Sequence, residues 1–132
     1  MDNKALTLEW LRFARMDLDS ARYLLQTMHP APLEIICYHC QQAAEKFLKS
    51  IAVALGDDPV KTHDLLKVLD QYQARIDIPR EIIVIAGSLT PFGVRIRYPQ
   101  ELAVDEAQTR TALAQAEAVQ EWVTSLLDAR PR

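Results

Sequence analysis

Glycine occurs three times in this chain and proline falls in a few short stretches, so little in the sequence breaks a helix. There are two cysteines, too few for a disulfide framework and half of what a four-cysteine zinc site needs. No apolar run approaches the roughly 18 residues of a membrane span. Positive charge is not in excess either: the net charge of −3 argues against nucleic-acid binding by bulk electrostatics, while leaving room for a local basic patch. The opening Met-Asp-Asn-Lys, followed by a polar-interrupted helix, does not read as a signal peptide, and a cytoplasmic location is expected. Walker loops, G-x-G-x-x-G and a Ser/His/Asp order are all missing, so composition and spacing alone name no enzyme.

What is present is a helical pattern. At 132 residues, 49% apolar and 25% charged, the chain is expected to form one domain over residues 1–132 and to bury roughly two-thirds of its unfolded surface. The clearest amphipathic stretch runs from about Leu33 to Leu55. One arc collects Leu33, Ile36, Cys37, Cys40, Ala43, Ala44, Phe47, Leu48, Ile51, Ala54 and Leu55; the other collects Glu34, Tyr38, Gln41, Gln42, Glu45 and Lys49. So broad an apolar face predicts a central helix around which the others pack. His39, Lys46 and Ser50 line one edge of it.

A first helix is expected from about Thr7, as N-cap, to Met28, stopped by His29-Pro30-Ala31-Pro32. Its apolar side reads Trp10, Phe13, Ala14, Leu18, Ala21, Leu24, Leu25 and Met28. Asp17 interrupts that side, and a carboxylate there needs a cation; Arg97 is the first expected partner and Lys46 the second. A short helix is expected from Thr62, as N-cap, to about Ala74, and another from Pro79 through Ile82-Ile83-Val84-Ile85. Thr90 to Leu102 reads as an irregular loop rich in Arg and Tyr, and the last helix as Asp105 to about Ala129.

Cys37 and Cys40 spell C-x-x-C around His39, but in mid-helix on the apolar face they read as small buried hydrophobes. His63 opens the third helix, where it can bond backbone or a neighbouring acid.

Taken together, Trp10-Leu11, Ala14-Arg15-x-Asp17-Leu18-x-x-Ala21, Cys37-Tyr38-His39-Cys40-Gln41-Gln42-Ala43-Ala44-Glu45-Lys46, Lys61-Thr62-His63-Asp64-Leu65 and Arg97-Tyr98-Pro99 resemble the HEPN domain family over nearly the whole chain. The resemblance implies an all-α fold, an up-and-down four-helix bundle with an additional short helix, and a homodimer; the apolar surface of five amphipathic helices with Trp10, Phe13, Tyr98 and Trp122 sets the expected dimer contact at helix faces beside the late loop. It also implies a nucleotide- or RNA-binding subunit of a toxin–antitoxin-like pair with a minimal nucleotidyltransferase. Metal-independent ribonucleases of the family carry Arg, four to six residues, then His. Here the formal match, Arg22 to His29, ends the first helix and reads as chance. A ribonuclease would instead draw on Arg95 or Arg97 with His39 or His63; a purely structural partner subunit is the third reading. The expected phosphate-binding residues are Arg95, Arg97, Tyr98, His39 and Lys46, with Asp17 and His63 as structural polar residues. No metal or cofactor is implied.

Overall fold

The structure, a computed structural model, describes residues 2–94 and 103–130. The described residues form five helices: α1 (Asn3–Thr27), α2 (Leu33–Ala54), α3 (Leu65–Asp70), α4 (Arg80–Val94) and α5 (Glu106–Ala129). Four are long, α3 is short, and the architecture is the all-α up-and-down bundle expected. The central helix α2 packs against every other helix, while α1 meets α2 and α5, and α4 meets α2, α3 and α5. Leu18, Ile36, Phe47, Leu48, Leu65, Leu89 and Val119 are among the side chains of the shared core.

Several boundaries differ from the sequence reading for identifiable reasons. Helix α1 starts earlier because Asp2, not Thr7, is the cap: its carboxylate accepts from the Ala5 N–H at 2.7 Å, and the Thr7 hydroxyl bonds back to the Asn3 carbonyl. Its buried stripe is Thr7, Leu11, Ala14, Leu18, Ala21 and Leu25, whereas Phe13 and Met28, expected in the core, are exposed. Helix α3 is capped by Asp64, which accepts from Leu66, while Thr62 accepts from the Asp64 N–H. It gives way after Asp70 to hydrogen-bonded turns rather than reaching Ala74.

The Ile82–Ile85 run is helical, with Ile82 and Ile85 buried and Ile83 and Val84 exposed. Helix α4 also extends through Pro91 to Val94, into the segment read as irregular. Proline in a last turn removes one hydrogen bond, and burial of Leu89 and packing of Phe92 on the core offset that loss. Asp105 caps α5 in a reciprocal capping box with Gln108.

Candidate functional site: two carboxylate clusters on the central helix

Helix α2 carries a polar cluster on each side. On the α1 side, Asp17 projects between His39 and Lys46, its Oδ1 2.9 Å from His39 Nδ1 and its Oδ2 bonded to Lys46 Nζ. Position 17 falls between the buried stripe of α1 and its outer face, so the carboxylate reaches α2 at the rim of the core. Its side chain is 14% exposed, against 28% for Lys46. Burial works to raise the Asp17 pKa, but the hydrogen bonds and charges of His39 and Lys46 outweigh it and hold the carboxyl below the ordinary carboxylate value. His39 and Lys46 lie seven residues apart, two helical turns, which stacks them on one edge of α2. Ser50, read as the third member of that edge, is instead buried, its hydroxyl donating to the Phe47 carbonyl.

On the other side, Gln41, Glu45 and Lys49 occupy successive turns of what reads as the polar arc, yet all three are buried. They lie beneath the segment that enters α3 and the end of α4. Lys49 Nζ donates to Glu45 Oε2 at 3.1 Å; His63 Nδ1 lies 2.8 Å from Glu45 Oε1; the Gln41 amide donates to Glu45 Oε1 at 3.3 Å and to the His63 carbonyl at 3.0 Å. Gln42 completes the chain by donating to Gln41 Oε1 at 2.7 Å. Every buried polar side-chain atom among the described residues has a partner. His63 is the open end of this cluster, its side chain 59% exposed.

Gly93, on the last turn of α4, sits against the Gln41 amide: a Cβ there would lie 2.5 Å from Gln41 Cδ. Arg95, Arg97 and Tyr98 fall outside the described residues, as does the expected Asp17–Arg97 pairing. The C-x-x-C thiols point into the core, Cys37 Sγ donating weakly to Thr109 Oγ1 at 3.5 Å. Burial pushes the Cys40 thiol up to about 12, so it is uncharged and a poor nucleophile. Among the described residues no three His, Cys, Asp or Glu side chains converge as metal ligands, and no helix is long and apolar enough to cross a membrane.

The buried Glu45 cluster was missed in the sequence because Gln, Glu and Lys at successive turns read as a solvated face. Their i, i+4 spacing, a complementary acid and base with an amide above, was the available signal.

A HEPN domain family model matches residues 7–126. TT1696 from Thermus thermophilus superposes with a TM-score of 0.79 at 25% identity, covering 90% of this chain and 96% of that one. ST0689, an archaeal HEPN homologue, superposes with a TM-score of 0.72 at 22% identity, covering 91% and 96%. No curated protein gives a significant match.

Proposed function

The chain belongs to the HEPN domain family, and from that premise we propose that it is a homodimeric nucleotide- or RNA-binding subunit that partners a minimal nucleotidyltransferase in a toxin–antitoxin-like pair. The observation that carries the ligand half of this reading is the half-open placement of His39 and Lys46 around Asp17. Lys46 has three N–H donors and His39 a second ring nitrogen, so the single carboxylate fixes both side chains in position and leaves donors for an incoming phosphate. Arg95 and Arg97 supply bidentate phosphate contacts in this proposal, and Tyr98 a stacking face for a base. With a net charge of −3, affinity depends on this local arrangement rather than on an overall field. Titration with nucleotides and short RNA tests it: micromolar binding by the wild type and its loss in Arg95→Ala/Arg97→Ala are expected, and binding untouched by that change would overturn the site.

A second reading, a metal-independent ribonuclease, is favoured by one feature. His63 is exposed and its Nδ1 is held by a buried carboxylate, an arrangement that presents the other ring nitrogen for proton transfer. Cleavage of RNA by the wild type without added metal, abolished in His63→Ala, would move the assignment to this reading.

A further inference from the structure

Helix α1 has a second apolar face, turned away from the bundle. Leu6, Phe13, Met16 and Tyr23 are all exposed on it, Phe13 by 48% and Tyr23 by 67%. With Glu9, Ser20 and Thr27 they fall at alternate spacings of three and four residues, the repeat that keeps one stripe aimed at a neighbouring helix. The buried stripe of the same helix follows the same alternation from Thr7 to Leu25. Helix α1 therefore carries two seams, and the described residues of the bundle cover one. Four large exposed side chains aligned along about 26 Å of helix differ from the scattered single hydrophobics of an ordinary surface.

We propose that a second copy of this chain docks on the outer seam, the two α1 helices running antiparallel about a two-fold axis. The inference rests on the homodimer part of the function proposed above and gives that dimer a surface and a register. In an antiparallel pair the two kinds of seam position face each other. The register that sets Phe13 against the partner's Met16 also sets Leu6 against the partner's Tyr23 and Glu9 against the partner's Ser20. Apolar side chains thus meet apolar ones, and polar meets polar. On the flank, the same register sets Arg12 against the partner's Asp19, twice by symmetry.

Charge selects this register over its neighbours. Sliding the helices by one heptad in one direction opposes Arg12 to the partner's Arg12, and in the other opposes Asp19 to the partner's Asp19. Parallel pairing sets Glu9 against the partner's Glu9 in the seam itself. Arg12 and Asp19 are placed for such an exchange: among the described residues both bond only within their own helix, Arg12 to Glu9 at 2.7 Å and Asp19 to Arg22 at 3.1 Å. The Arg12 guanidinium lies 4.7 Å from the Phe13 ring centroid, at the edge of the seam. The seam also borders a shallow concavity lined by Asp19, Ser20, Tyr23, Leu24 and His39, so the partner copy would wall the surface on which His39 opens.

Sedimentation at micromolar concentration and cysteine cross-linking test the proposal on the full chain. The wild type should be a dimer and Met16→Lys a monomer with unchanged helical circular dichroism, since position 16 is exposed. Arg12→Asp or Asp19→Arg alone should weaken the dimer about tenfold or more, and the Arg12→Asp/Asp19→Arg double variant should recover most of the loss. Phe13→Cys chains mixed with Met16→Cys chains should form a mixed disulfide under oxidation, while Phe13→Cys alone should not link to itself. A wild-type dimer indifferent to Met16→Lys overturns the surface and leaves the homodimer standing. A monomeric wild type overturns both, and self-linking Phe13→Cys overturns the antiparallel register.

Discussion

The two sides of α2 carry the same kinds of group, a carboxylate, a histidine and a lysine, in different surroundings. Asp17 with His39 and Lys46 sits at the rim of the α1–α2 contact, and Glu45 with His63 and Lys49 lies under α4 and the entrance to α3. In the first, the lysine is partly in water; in the second, the lysine and the carboxylate are both buried and the histidine is the exposed member. An ion pair in water contributes little and tolerates exchange of partners, whereas a buried pair repays its desolvation only while every member is present. The difference assigns the clusters different work. The Glu45 cluster ties α2 to the segment entering α3 through one carboxylate and one amide, with the last turn of α4 packed against that amide, and the Asp17 cluster holds two donors at a partly exposed rim.

Removing a member of each cluster should expose that contrast. Lys49→Ala leaves the buried Glu45 carboxylate with only His63 and Gln41, and should lower stability by about 3 kcal/mol, visible in urea or thermal unfolding. Because a buried ion pair is often replaceable as a unit, Glu45→Gln/Lys49→Met should recover much of that loss. If Lys49→Ala costs no more than an exposed substitution, the cluster is wetter than its burial implies and the contrast collapses.

The lock can also be strained from the α4 side. Gly93→Ala would place a methyl within 2.5–2.7 Å of the Gln41 amide atoms, which are already bonded to Glu45, the His63 carbonyl and Gln42. Alanine ordinarily favours a helix over glycine by about 1 kcal/mol. Here a net destabilisation of about 1–2 kcal/mol is expected, because the amide cannot give way without breaking a bond. A Gly93→Ala variant at least as stable as wild type would mean that Gln41 moves freely and does not clamp the end of α4.

The bundle was readable because its stripes are periodic: Leu33 to Leu55 announces α2 almost to the residue, and Asp105 announces the start of α5. The reading failed where two signals share a residue. Phe13 lies beside the α1 core stripe, so an apolar side chain on the second seam was absorbed into the first. Gln41, Glu45 and Lys49 are polar by type and buried by tertiary packing, which a single-helix projection cannot register. Pro91 suggested a break, yet the packing of Leu89 and Phe92 carries α4 past it. Asp17 was conspicuous as a carboxylate in an apolar arc, but its partners depend on which helix lies alongside. That helix presents Lys46, the second partner expected, and His39, which was not expected there.

The open cluster should respond more weakly, and in a pH-dependent way. Asp17→Asn removes a carboxylate whose partners are partly in water, and the expected cost at pH 7 is about 1–2 kcal/mol, below the roughly 3 kcal/mol anticipated for a fully buried pair. Since the folded carboxyl titrates below its ordinary value of 3.8, its contribution is present above that value and is lost as the pH falls through the folded pKa. Wild type and Asp17→Asn should therefore differ by a constant amount near neutrality and converge below about pH 4. Unfolding measured across that range checks the sign as well as the size. A gap that widens on acidification would mean that the folded state favours the protonated carboxyl, so that burial rather than His39 and Lys46 governs Asp17. In that case those two side chains are not held in position by it, and the preorganised donor pair on which phosphate binding is proposed to depend would lose its support.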